Sequence, residues 1–347
     1  MSTRRYCKNP VIRPEDVKPS RPDFEVTCVF NAGVARVGDE VVLLLRVAER
    51  PVSLNSRIRL SPYLDISTGS ILVREFDISD SECDFSDSRV IKSTRGIYLT
   101  SISHLRVARS TDGVNFVTGE HPALFPDSIY DIYGIEDPRI SCIEGRYYIT
   151  YSAISDVGIT ACLASTNDFV TFQKHGVIFH PDNKDVAIFP GKLDGRYYAL
   201  HRPNSSFFRR NEIWLADSPD LSSWGNHRYL MGQREGYWDD GRIGGGAVPF
   251  RIDQGWLEIY HGASRKDRYC LGAVLLDGDR PWKILARSEK PIMEPEASYE
   301  TDGFFGNVVF SCGLLFEENR IKLYYGAADT YTAYAEIPFA DVMNSLV

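Results

Sequence analysis

The segment GIEDPRI sets Glu136, Asp137 and Arg139 around a proline that fixes the backbone. A carboxylate held there could act as a general acid, and EDPR equally suits a turn stabilised by an aspartate side chain. NKDVAIFPGK offers Lys184 and Lys192, while EGYWDDGRIGGG offers Trp238, Asp239, Asp240 and Arg242 in a glycine-rich frame. No helix pattern follows the three glycines, so they are weak grounds for a phosphate-binding loop. Cations dominate the remaining candidates: Arg46, Arg50, Arg139, Lys192, Arg202 and His261. An inverting glycosidase needs a carboxylic acid and a carboxylate base. Here cations stand where the base is expected, and cations around a small space suit an inorganic oxyanion. Phosphate would then attack the sugar carbon in place of water. Tyr133, Tyr237, Trp238 and Tyr260 could stack on sugar faces, although core packing accounts for most of the 19 tyrosines.

These residues have to be brought together by strands, because one strand pattern recurs five times. The copies are EVVLLLRVAER from Glu40, RYYITYSAIS from Arg146, RYYALHRPN from Arg196, GWLEIYHGAS from Gly255 and RIKLYYGAAD from Arg320. Each follows a turn dipeptide and is rich in Val, Ile, Tyr or Trp. A weaker pattern of Ala, Ser, Asp and Gly around a tight turn starts at Ala108, Ala164, Ala216 and Ala273, a period of roughly 50–60 residues. Several short strands per period describe a propeller blade, and five copies describe an all-β, five-bladed β-propeller whose closure leaves no open sheet edge. Polar residues gather at the strand ends: Arg46 and Arg50, Ser152, His201 and Arg202, Tyr260 and His261, and Asp329. Equivalent positions in a closed ring converge on its axis, which is the expected active site. The expectation is one domain over residues 1–347, with a short N-terminal extension over about 1–20 and a short C-terminal helix or tail over about 338–347. The excursion between Pro51 and Ile102, with its acidic, serine-rich stretch, reads as a solvated loop or rim decoration.

A net charge of −8 without a Lys/Arg run excludes the extended positive surface that duplex nucleic acid requires. No run of about 18 apolar residues occurs, and no apolar segment follows the basic N-terminus. Seven scattered cysteines without a CxxC pair argue against a disulfide scaffold or a zinc site, and point to buried thiols in the cytoplasm.

Taken in order, FNAGVA, LLLRVAER, GIEDPRI, NKDVAIFPGK, YALHRP, WDDGRIGGG, YHGAS and YYGAAD resemble glycoside hydrolase family 130, the mannoside phosphorylases and related mannosidases. The resemblance implies a five-bladed propeller and inverting phosphorolysis of a β-mannoside to α-mannose 1-phosphate, with inorganic phosphate as co-substrate and no metal or organic cofactor. It implies Asp137 as the general acid, its proton passing through a substrate hydroxyl. It also implies Arg50, Lys192, Arg202 and His261 around phosphate with Tyr260 beside them, and Arg46 and Arg139 as further candidates. Asn31 and Asp329 would hold the sugar at the cleavage site, with Tyr133, Trp238 and Asp240 as further sugar contacts. The wording of LLLRVAER and YHGAS is closer to the β-1,2-mannobiose and β-1,2-oligomannan group than to the β-1,4 group. An inverting mannosidase is the main alternative, with Glu235, Asp239 or Asp240 as its base. A propeller that only binds carbohydrate or protein is the non-enzymatic one. The expected partners are a mannooligosaccharide and phosphate, with a homo-oligomer compatible with the sequence.

Overall fold

The computed structural model describes residues 2–205, 207–208 and 210–347. The recurring pattern forms the second strand of five antiparallel units: Glu40–Pro51, Arg146–Ser155, Arg196–Pro203, Gly255–Ala263 and Arg320–Ala327. Each lies between an inner strand and a third strand. The inner strands are Phe24–Val37, Gly134–Ile143, Asn183–Leu193, the pair Arg242–Gly244 and Phe250–Ile252, and Val309–Glu317. The weaker pattern marks the exit from the third strand. In the first four blades an aspartate there (Asp112, Asp168, Asp220, Asp277) accepts two backbone N–H bonds and closes the turn.

Burial organises the ring. Five main hydrophobic clusters each straddle one blade interface, as where Leu44 and Leu105 meet Ile135 and Ile149, or Leu257 and Ile259 meet Leu323 and Tyr325. Closure is tight where Gly313 of the fifth blade passes the first: a Cβ there would lie 2.4 Å from Val34 Cγ2 and 2.7 Å from the Val34 backbone nitrogen, so only glycine admits the approach. The N-terminal segment is less of an extension than expected, because Arg4–Arg5 pair with Tyr331–Pro338 as the outer strand of the fifth blade. The first and last blades are thus joined by the chain's beginning. A short helix, Phe339–Asn344, follows.

The excursion after the first blade's second strand is also more ordered than a solvated loop. It holds a hairpin, Ile58–Asp65 with Ser70–Asp77, and a small three-stranded sheet, Cys83–Asp84, Val90–Ser93 and Gly96–Leu99. Four of the seven unpaired cysteines are buried, whereas Cys7 and Cys142 are exposed. No helix among the described residues is long and apolar enough to cross a membrane.

Candidate active site

Four inner strands break register at corresponding points: between Phe30 and Gly33, Glu136 and Arg139, Lys184 and Ala187, and Ser311 and Gly313. Such bulges re-aim side chains. At three of them a non-glycine residue takes positive φ: Asn31 (49°), Asp137 (51°) and Asp185 (55°). Left-handed backbone at a side chain of this kind stores strain that the surrounding fold must sustain. All three residues line one cavity of about 380 Å³, together with Arg46, Glu136, Lys184, Arg202, His261 and Asp329. Two roomier clefts, of about 560 and 620 Å³, lie away from these residues. The first is lined by charges already paired, such as Arg36 and Lys322 with Glu317; the second is mainly an outer groove around Val117 and Val170.

One side of the cavity is acidic. Asp137 Oδ1 accepts from Asn31 Nδ2 at 2.9 Å and Arg46 Nη1 at 3.0 Å, while Arg46 Nη2 binds Glu136 at 2.7 Å. Burial pushes the Asp137 carboxyl up, but Arg46 and the Asn31 bond outweigh it and hold the group below the usual carboxylate range. Glu136 moves the other way, because burial exceeds its attraction to Arg46. Burial also pushes Asp329 up, to about 6, against the opposing pull of Arg46.

The facing side is cationic. Arg202 Nη1 lies 3.2 Å from His261 Nε2, and Lys184 lines the same space. Burial pushes His261 down to about 3, so its imidazole is neutral at neutral pH and can accept from Arg202. Burial and the nearby Arg202 charge lower Lys184. Arg202 Nε, His261 Nδ1 and Asn31 Oδ1 are buried without a hydrogen-bond partner. Hydrogen-bonding capacity left open beside a cavity is what a polar ligand would fill.

The cavity therefore gathers Asp137, Arg46, Arg202, His261, Asn31 and Asp329 from the expected set. It does not gather the others. Arg50 is exposed and pairs with Glu25 at 2.6 Å, and Lys192 is exposed over the Tyr197 ring. Tyr260 is buried between blades, stacked on Trp238 and donating to Asp239. Arg139 sits beneath the cavity, bound to Asp185 and to the carbonyls of Gly245 and Gly246. Tyr133 is buried outside it, and Asp240 accepts from the Arg265 backbone. Of the candidate hydrolytic bases, Glu235 is exposed and Asp239 is locked by Arg234 and Arg287, and neither lines the cavity.

Glu136, Lys184 and Arg242, offered by the same sequence segments without an assigned role, also line it; the unexpected members are Asp185, Asp267, Tyr269 and, from the first-blade excursion, Asp87 and Arg89. Asp185 carried no usable signal, since the residues after Asn31, Asp137 and Asp185 are alanine, proline and valine. Arg89 carried none, because its segment belongs to no repeat.

A family profile described as β-1,4-mannooligosaccharide phosphorylase, Glyco_hydro_130, matches residues 88–347. The chain is 45% identical over 350 aligned residues to a β-1,2-mannobiose phosphorylase of Listeria innocua, covering 100% of this chain and 99% of the relative. A 1,2-β-oligomannan phosphorylase of Thermoanaerobacter sp. (strain X514) is 38% identical over 244 residues, 70% of this chain and 80% of the relative. The solved structure of the Listeria innocua enzyme in complex with β-1,2-mannobiose superposes with a TM-score of 0.97 at 46% identity, over 99% of both chains. A putative glycoside hydrolase from Parabacteroides distasonis, 22% identical with a TM-score of 0.74 over 96% and 95% of the chains, shares the fold. This chain belongs to glycoside hydrolase family 130.

Proposed function

We propose that the protein catalyses reversible, inverting phosphorolysis of β-1,2-linked mannobiose and short mannooligosaccharides, giving α-mannose 1-phosphate and a shortened acceptor. The observation that carries this reading is the two-sided cavity, with Asp137 facing Lys184, Arg202 and His261. The high identity to a β-1,2-mannobiose phosphorylase along the whole chain supports the linkage. The five blades are proposed to act as one domain over residues 1–347, since each interblade cluster draws on two of them.

In the reaction, a phosphate oxygen bonds to C1 of the mannosyl unit as the bond from C1 to the glycosidic oxygen breaks. Asp137 supplies the proton that the leaving oxygen takes, relayed by a substrate hydroxyl. Hydrogen phosphate brings a proton of its own, which restores Asp137 through solvent, so the cycle closes without another reagent. An acid must hold a proton, and Arg46 and Asn31 favour the ionised form of Asp137. A phosphate dianion beside Arg202 adds negative charge to the same cavity and raises the affinity of Asp137 for that proton. The anion that attacks thereby also arms the acid.

Purified protein incubated with β-1,2-mannobiose should release mannose 1-phosphate only when phosphate is present. Equal breakdown in phosphate-free buffer, with free mannose as the product, would establish a mannosidase instead. Running the reverse reaction from mannose 1-phosphate and mannose, with linkage analysis of the product, separates β-1,2 from β-1,4 specificity.

A further inference from the structure

Asp185 is a carboxylate in the wall where the proposed reaction needs an anion to bind. It is 2% exposed, and its two oxygens are used differently. Oδ1 accepts from Arg139 Nη2 at 3.2 Å. Oδ2 makes no hydrogen bond: it lies 3.1 Å from Arg202 Nη1 as an ion pair, and 3.4 Å from His261 Nε2, which accepts from Arg202. Arg202 ends the second strand of the third blade and His261 lies near the end of the second strand of the fourth. Those two strands belong to separate sheets. The carboxylate charge thus pairs with Arg202, and Arg202 in turn carries the link to His261 across two sheets that the backbone leaves independent.

Behind Asp185, Arg139 extends the link. Its Nη2 and Nε donate to the carbonyls of Gly245 and Gly246, each at 2.7 Å, and its Nη1 donates to the Asp137 carbonyl at 3.1 Å. The guanidinium joins Asp185 to the fourth blade and to the peptide of Asp137. Gly244 completes the arrangement. A Cβ there would lie 2.2 Å from Asp185 Oδ2 and 2.5 Å from His261 Cε1, and the residue does not occupy the left-handed region that would demand glycine for backbone reasons. Glycine at this position serves the approach of the carboxylate to the imidazole.

We propose that Asp185 is a positioning residue: its charge holds Arg202, and through the Arg202 bond to His261 both groups, in one preformed anion cradle across the third and fourth blades, and Arg139 ties that cradle to the peptide of Asp137. The proposal rests on the phosphorolysis reading, because it assigns the cradle to phosphate. The negative charge of Asp185 also opposes an incoming anion, but Arg139 and Arg202 already neutralise it. Its removal would leave two buried guanidinium groups unpaired and free to separate. Placement errors of about 1 Å at a reacting group cost about 100-fold, so orientation outweighs the repulsion.

The test is initial-rate kinetics of Asp185→Asn and Gly244→Ala, varying phosphate and β-1,2-mannobiose separately. Both variants should raise KM for phosphate about tenfold or more while KM for the disaccharide moves by less than about threefold. In the reverse direction KM for mannose 1-phosphate should rise, with KM for mannose as acceptor little changed. Gly244→Ala removes no charge, so it carries the test if Asp185→Asn fails to fold. Unchanged phosphate KM, equal rises in both KM values, or tighter phosphate binding by Asp185→Asn would overturn the proposal. Wild-type turnover indifferent to phosphate would instead sink the phosphorolysis reading, and this proposal with it.

Discussion

Two clusters of carboxylate and arginine sit near the ring's polar end, and residue type alone does not tell them apart. Around Asp239, Oδ2 receives Arg234 at 2.8 Å, Arg287 at 2.6 Å and the Tyr260 hydroxyl at 3.0 Å. Each guanidinium also donates to a backbone carbonyl, of Ser288 or Gly232. That cluster is saturated and fully buried at the carboxylate. Around Asp137 the charges border open space, and Asn31, Arg202 and His261 each keep a buried polar atom unpartnered. A strut uses all its bonding capacity on itself, whereas a site keeps some for a ligand.

The widest separation between the clusters should come from Asp137→Asn. Loss of the proton donor should lower kcat by about 10³-fold, with the thermal midpoint nearly unchanged. Asp239→Asn should do the reverse, destabilising the fold by about 2–4 kcal/mol because two partly buried arginines lose their buried counter-charge. Protein that stays folded should keep its KM values. Melting curves and steady-state rates on both variants check the pair. A catalytic collapse of Asp239→Asn without a fall in melting temperature would merge the two clusters into one site.

Much of the fold was legible because every second strand repeats the same pattern, from Glu40, Arg146, Arg196, Gly255 and Arg320. The site was harder, and strand geometry explains where the reading strayed. Tyr260 and His261 are successive residues of one strand, so their side chains leave opposite faces. His261 reaches the cavity and Tyr260 enters the interblade cluster with Trp238. Lys184 and Lys192 share the bulged strand Asn183–Leu193, and they pair with Arg202 and Tyr197, so at about 3.3 Å per residue of the partner strand they are about 17 Å apart. One cavity of this size could hold only one of them. The bulges that turn Asn31, Asp137 and Asp185 inward leave no distinctive letter in the sequence, and the contribution of Arg89 comes from a segment unique to the first blade.

A smaller effect distinguishes the cavity by pH. Asp329 is pushed up to about 6 by burial, against an ordinary value of 3.8. The folded protein therefore binds this proton more tightly than the unfolded chain does, and stability falls as pH rises from about 4 to about 6, then levels off. Asp329→Asn removes that cost. Its melting temperature should match the wild type near pH 4 and exceed it by about 1–3 °C at pH 7–8. A gain of the same size at every pH would show that packing, rather than the buried charge, sets the difference.

The least perturbing changes test the boundary of the anion side. Arg50 makes a half-exposed ion pair with Glu25, of a kind worth about 0–1 kcal/mol, and Lys192 makes an exposed contact with the face of Tyr197. Neither side chain borders the cavity that Lys184 and Arg202 line. Arg50→Ala and Lys192→Ala should each leave kcat and the phosphate KM within about twofold, and the melting temperature within about 1 °C. Lys184→Ala, measured alongside, should raise the phosphate KM about tenfold or more, since it removes a charge from the cavity wall. If Lys192→Ala proved the more damaging, phosphate would have to bind at the opposite end of the third blade's inner strand. The contrast between an open site and a saturated strut would then have been drawn at the wrong end of the ring.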